Sequence, residues 1–264
     1  MHATLTFLGT GTSMGVPTLG CHCAVCNSAD SCDRRLRPSV ALRWTAEEGK
    51  ERIAIVDTGP DFRQQALSAQ IGHVDAVFYT HAHADHILGM DDLRPLSFAA
   101  FQRGEFIPLF ADEPTSEVLR RVFDYTFSPG ATYPNRARVE LKPLAAHNGV
   151  HGIDFIRVPL MHGDMEISGF RFGNAAYLTD VSSIPEPSFE LLSGLDVLVV
   201  SALRHVPHPS HATLEQAVAW ARRIGARQTW LTHIAHDLGH QETNRMLPES
   251  IRMAYDGLSV PISL

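Results

Sequence analysis

The sequence predicts an α/β fold in four layers, α/β/β/α, with two mixed sheets sandwiched between helices. Three observations carry that expectation. Short apolar and β-branched runs are grouped along the chain, with helical segments on either side of them. The 264 residues, 44% hydrophobic and 19% charged, are enough to bury one sizeable core. No internal repeat, low-complexity tract or Gly/Ser-rich linker divides the chain, so residues 1–264 read as a single domain.

The elements follow in order. Residues 3–8 read as a strand running into the Gly-rich turn Gly9-Thr10-Gly11-Thr12-Ser13-Met14-Gly15, with a polar, cysteine-bearing loop to about residue 38. Residues 40–44 and 52–56 form a hairpin across Glu47-Glu48-Gly49-Lys50. A helix over 61–70 precedes a short buried strand at 76–79. A helical stretch at about 84–103, a strand at 107–111 and a helix at 115–125 come next, and the Pro/Gly-bearing residues 126–137 are a loop. Strands are expected at 138–142, 153–159, 168–173, 175–179, 196–201, 228–232 and 258–263, with helices at 187–193 and 213–224.

The formal charge is −7, and Lys50 and Lys142 are the only lysines, so nothing draws the chain to nucleic acid. Arg34, Arg35 and Arg37 read as basic residues of a solvated loop. The N-terminal segment lacks a basic region ahead of an apolar stretch. No run reaches the roughly 18 apolar residues of a membrane span. A cytoplasmic protein with no membrane partner is the expectation.

Tyr79-Thr80-His81-Ala82-His83-Ala84-Asp85-His86 carries the most chemistry. Three imidazoles and a carboxylate within six residues directly follow an apolar strand. The small Ala82 and Ala84 let the backbone fold tightly enough for several side chains to converge. Such donors suit zinc, manganese or iron, and an open position on the ion makes water nucleophilic near neutral pH. Earlier in the chain, Cys21-His22-Cys23-Ala24-Val25-Cys26 sets three thiols at very short spacing. In a chain this long that is a poor disulfide framework and a good zinc site, structural rather than catalytic. Cys32, His22 and His236 are all chemically able to be the fourth ligand.

The H-x-H-x-D-H run at His81–His86 resembles the hallmark of the metallo-β-lactamase superfamily, and other pieces of that pattern occur in order over nearly the whole chain. Ile55-Val56-Asp57-Thr58-Gly59 resembles the strand-end aspartate motif that buttresses the metal loop. The resemblance implies that His81, His83 and His162 hold one divalent ion, zinc or manganese, and that Asp85, His86 and His233 hold a second. Asp180 would bridge the two with a water or hydroxide. Many true β-lactamases of this superfamily carry cysteine where Asp180 stands; aspartate looks like the phosphodiesterase and thioesterase branches.

The C-x-C-x-x-C cluster, Gly9-Thr10-Gly11 with Gly15-Val16-Pro17, and Thr232-His233-Ile234-Ala235-His236 are together similar to the PhnP-like phosphoribosyl cyclic phosphodiesterases. In that group the histidine three residues after the last active-site histidine completes the structural zinc site. That implies Cys21, Cys23, Cys26 and His236 here, with Cys32 as the fallback. His208-Pro209-Ser210-His211-Ala212-Thr213-Leu214 resembles the group's substrate-side segment. It implies His211 as a general acid beside Asp85, which coordinates metal and orients the hydroxide; Arg94 and His208 would be substrate contacts.

The expected function is hydrolysis of a small phosphodiester, a cyclic ribose phosphate among the candidates, by attack of the metal-bridging hydroxide. Related proteins are often homodimers. A tRNA 3′-processing nuclease, a thioesterase, and a non-catalytic handler of a cofactor like those of coenzyme PQQ biosynthesis are the competing readings.

Overall fold

The computed structural model describes residues 2–130 and 132–264. The chain enters as β1 (His2–Gly9) and, after a long loop, makes β2 (Ser39–Thr45) and β3 (Glu51–Val56). There follow α1 (Phe62–Ser68), β4 (Ala76–Phe78), α2 (Ala84–Ile87), a 3-10 turn at Met90–Leu93 and α3 (Arg94–Phe101). The first half closes with β5 (Ile107–Ala111), α4 (Glu113–Val122), α5 (Asp124–Phe127) and β6 (Val139–Pro143). The second half runs through β7 (His147–Val150), β8 (Ile153–His162), β9 (Met165–Phe172), β10 (Ala175–Leu178), α6 (Glu186–Glu190) and β11 (Val197–Ser201). It ends with α7 (Leu214–Ile224), β12 (Gln228–Thr232), α8 (His240–Met246), β13 (Ile251–Met253) and β14 (Ser259–Ser263).

These strands build two mixed seven-stranded sheets, ordered β14-β1-β2-β3-β4-β5-β6 and β13-β12-β11-β10-β9-β8-β7. The last strand crosses back to the first sheet, pairing antiparallel with β1 from His2↔Ser263 to Thr6↔Ser259. Alternation along β1 sends Ala3, Leu5 and Phe7 into the space between the sheets, where they meet Phe155, Phe170, Phe172 and Tyr177 of the second sheet. Phe78 is the centre of that layer, stacked between Phe110 at 4.7 Å and Phe155 at 4.2 Å, with Phe170 edge-on at 5.4 Å. Its neighbour Val77 faces the outer layer, where Phe62, Leu93, Leu119 and Phe123 bring the helices of the first half onto the sheet. Leu214, Ala217 and Ala221 of α7 do the same for the second sheet. The four-layer fold expected from the sequence is therefore the one observed.

The differences are local. The helical stretch expected at about 84–103 consists of α2, the 3-10 turn and α3, and Gly89 between them packs flat on the backbone of Gly59: a Cβ there would sit 2.0 Å from the Gly59 carbonyl oxygen. The helix expected at 115–125 is two helices that part at Phe123 (φ −114°, ψ 46°). Strand β8 runs on to His162 and β9 starts at Met165, so the pair is longer than expected. Three elements carry no sequence signal. β7 (HNGV) has little strand propensity, α8 (HQETNRM) is polar all round, and β13 is three residues long.

β3 pairs with β4 in parallel, as β10 does with β11 and β11 with β12. The chain therefore leaves β3, β4, β10 and β12 at their carboxyl ends, where loops converge and ligands of open α/β sheets bind. Removing the ring that joins the two sheets tests the core: Phe78→Ala is expected to cost about 3–5 kcal/mol of unfolding free energy, read as a shifted urea midpoint at unchanged slope.

Candidate metal centre

Asp57 follows β3 directly, and its carboxylate organises the loop after β4. Its Oδ1 accepts from the Thr80 amide at 2.9 Å; its Oδ2 accepts from Thr80 Oγ1 at 2.8 Å and from His86 Nδ1 at 2.7 Å. The backbone is tied as well: the Thr58 amide donates to the His86 carbonyl and the Gly89 amide to Thr58, both at 2.8 Å. Gly59 is required by this approach, since a Cβ on it would meet the Asp85 carbonyl oxygen at 2.0 Å.

With Thr80 Oγ1 donating to Asp57, His81 Nδ1 donates to Thr80 Oγ1 at 3.0 Å, and His162 Nδ1 donates to the Asp180 carbonyl at 2.7 Å. Each rear nitrogen that is held in this way leaves Nε2 as the free acceptor. Nε2 of His81 and Nδ1 of His233 are buried with no hydrogen-bond partner among the described residues. Nε2 of His86 and of His233 face the carboxylate of Asp180 instead. Buried imidazole nitrogens without partners are costly unless something else binds them.

The donor atoms fall into two adjoining groups. His81, His83 and His162 lie within 4.8 Å of one another, as do Asp85, His86, Asp180 and His233. Asp180 also groups with His162 and His211, which places it between the two sets. Its Oδ2 lies 3.2 Å from His86 Nε2 and its Oδ1 3.0 Å from His233 Nε2.

The electrostatics call for cations. Burial opposes charge on Asp180, yet His233 and His86 outweigh it and hold its pKa well below the usual carboxylate range. The same contest, against Asp85, Asp180 and Asp57, leaves His86 well above an ordinary histidine. Burial also works against a charged His233, but Asp180 and Asp85 lift it to about 9. Two buried carboxylates thus hold protons on imidazoles that a divalent ion would displace. The donor set and its unpartnered nitrogens fit a two-ion centre.

His211 precedes α7, whose start is fastened by a capping box between Thr213 and Gln216. Its ring stacks on His233 at 4.7 Å and meets His162 at 4.6 Å, with Nδ1 3.7 Å from Asp180 Oδ1. Burial first, then the positive His233, push its pKa down to about 3. His208 stands at the margin, 4.9 Å from the His211 ring. Arg94 pairs with Asp91 at 3.4 Å and reaches Tyr133 Oη at 3.5 Å. A cavity of about 410 Å³ does adjoin His81 and Ala82, and the arginine on its wall is Arg157, paired with Glu166 at 2.9 Å.

The cysteine loop folds against the segment after β12. Sγ of Cys21 and of Cys23 lie 3.2 and 3.3 Å from His236 Nδ1, and with Cys26 Sγ the four atoms lie within 4.8 Å of one another. Cys32 is not in this group, so His236 rather than the fallback completes it. The Cys26 amide, then His236, lower Cys23 to about 6, while burial raises Cys26 to about 11. Three thiols and an imidazole in this arrangement fit a closed zinc site.

Three site residues, Asp57, Asp180 and His233, have φ of 64°, 57° and 54°. Left-handed backbone at residues other than glycine is strained, and it turns each side chain back over its strand end. Sequence reasoning missed Thr80 and Arg35. Thr80 stands inside the motif but is not a metal donor. Arg35, read as solvated, is 2% exposed and paired with Asp33 at 2.8 Å.

The chain matches the family model described as "Beta-lactamase superfamily domain" over residues 52–234. It is similar to a solved diphosphatase of the PhnP family, with 52% identity, 99% of this chain and 98% of that one covered, and a TM-score of 0.91. Zn(2+)-bound PqqB from Methylobacterium extorquens shares the fold at 20% identity and a TM-score of 0.75, over 98% of this chain and 99% of that one. A curated octanoyltransferase of Porphyromonas gingivalis is 38% identical over 259 residues, 97% of this chain but 51% of that protein. The chain thus spans about half the length of that relative.

Asp57→Asn leaves His86 Nδ1 without its anionic anchor. It is expected to weaken metal binding at the centre by about 10–100-fold, measured by competition with a chromophoric chelator. Cys23→Ala should lower bound zinc by about one ion per chain and reduce the melting temperature; unchanged zinc stoichiometry would refute the four-ligand group.

Proposed function

The chain belongs to the PhnP family of the metallo-β-lactamase superfamily, and we propose that it is a two-metal hydrolase acting at phosphorus on a small phosphoric diester. The observation that carries this reading is the pair of adjoining donor groups with Asp180 between them. The 52% identical relative is called a diphosphatase, so the phosphoanhydride of a diphosphate joins the cyclic ribose phosphate as a substrate candidate.

His81, His83 and His162 would hold one divalent ion and Asp85, His86 and His233 the other, with Asp180 shared. Zinc or manganese bound there supplies Lewis-acid activation of water and neutralises charge developing on phosphorus. Asp57 and Thr80 keep the imidazoles aimed, so the donors need no reorganisation during the reaction. His211 enters as a neutral ring, since its pKa lies at about 3. It therefore acts as an N–H donor that stabilises charge on the leaving oxygen, whose proton comes from solvent. Arg94 stays a proposed substrate contact, and Arg157, on the wall of the cavity beside His81, joins it as a second.

The formal charge of −7 and the compact site favour a small substrate over RNA. The octanoyltransferase relative is about twice as long, and this chain spans only about half of it.

The metal-loaded protein should turn over bis-p-nitrophenyl phosphate and at least one of a ribose 1,2-cyclic phosphate ester, a 2′,3′-cyclic nucleotide and a dinucleoside diphosphate. Precursor tRNA and a glutathione thioester are the contrasting substrates. No phosphodiester or diphosphate turnover with zinc, manganese or cobalt, at two active-site ions per chain, would sink the reading.

A further inference from the structure

Among the buried candidate donor histidines, His81, His86 and His162 each have a rear ring nitrogen fastened, by Thr80, Asp57 and the Asp180 carbonyl. His233 has no such partner: its Nδ1 is buried and unpartnered. Its residue also sits at φ 54°, in the strained left-handed region. A ring that nothing holds from behind takes its direction from the backbone, and a strained backbone persists only where its surroundings over-determine it.

The surroundings here are built around Arg35. Its guanidinium side chain is wholly buried. Nη1 donates to the Ala235 carbonyl at 3.0 Å, and Nη2 donates to the Leu238 carbonyl and to Asp33 Oδ1, each at 2.8 Å. Asp33 Oδ1 also accepts from the His240 amide at 2.8 Å. The Arg35 backbone pairs with Val16 in both directions, at 2.7 and 2.9 Å, and the turn ahead of it reaches Ile234 through Thr10 and Thr12. The segment 234–240 is thereby gripped on both sides, immediately after His233 and around His236.

We propose that Arg35, with Asp33 as its counter-charge, is a positioning residue: it sets the backbone that aims His233 into the metal centre, and does so independently of the cysteine group. This rests on the assignment of His233 as a metal donor, but not on which substrate is cleaved. The guanidinium suits the task because its planar fork reaches the carbonyls of Cys32, Ala235 and Leu238 and the Asp33 carboxylate at once, more acceptors than an ammonium has N–H groups.

Arg35→Met keeps the volume and removes the fork. Arg35→Lys keeps the charge, and Asp33→Asn removes the counter-charge while keeping an acceptor. Zinc competition with a chelator should show that Arg35→Met binds the weaker active-site ion about 10–100-fold less tightly, while the cysteine-site ion stays bound. On bis-p-nitrophenyl phosphate, kcat should fall by a similar factor with KM within threefold of the parent, and raised Mn²⁺ should restore much of it. Arg35→Lys should be intermediate. A merely structural role would lower the melting temperature and leave the metal affinity and kcat of the folded protein at parental values; that result overturns the proposal. If Arg35→Met does not fold, the same readings on Arg35→Lys and Asp33→Asn decide it. If the parent chain turns over no phosphodiester, the chelator titration still reports on Arg35, so the two failures are distinguishable.

Discussion

The carboxylate of Asp57 is the interaction on which the centre depends. It is fully buried, and burial raises its pKa against the lowering pull of His86 and Thr80. A buried carboxylate without partners would cost several kcal/mol. Here it accepts three hydrogen bonds, two from Thr80 and one from His86, so its desolvation is offset by the same contacts that aim the metal loop. Removing His86 would leave that carboxylate with only the neutral donors of Thr80. That is why a residue that touches no substrate governs the site.

The two sheets make this possible. Asp57 and the motif loop leave the first sheet, while His162, Asp180 and His233 leave the second. The donors meet because Phe78, Phe155 and Phe170 lock the sheets face to face. Packing of this kind has little freedom to slide. The strained backbone of Asp57, Asp180 and His233 is tolerated for the same reason, each at an estimated cost of about 1–3 kcal/mol. The packing of the two sheets holds them there, and the result is a set of side chains that all face one small volume.

The loop preceding β2 does more than cover that volume. Its cysteines converge on His236, and its buried Arg35 grips the carbonyls on either side of that residue. A thiol group and an ion pair thus hold the same seven-residue segment by different chemistry, one sensitive to chelation and one not. The buried ion pair by itself is weak evidence for stability. Its value lies in the geometry it imposes, since the guanidinium can satisfy both carbonyls in one arrangement of the segment only.

The sequence by itself determined the four-layer fold, the donor-rich loop at His81–His86 and the cysteine cluster. Apolar periodicity and short-range spacing are local properties, and donor chemistry is written in residue type. It also aligned His162, Asp180 and His233 by family pattern, though not by any local physical signal: each follows an ordinary strand, where an aspartate looks like a turn former and a histidine like a structural residue. Only the tertiary structure decided that Cys32 stands apart, that Arg94 pairs with Asp91, that Thr80 is the hub behind two histidines, and that Arg35 is buried. Burial and partnership come from where distant segments land, and a basic residue in a polar loop reads the same whether it faces water or two carbonyls two hundred residues away. The short elements β7, α8 and β13 were illegible for a related reason: neighbours hold them in place, and their own propensities do not.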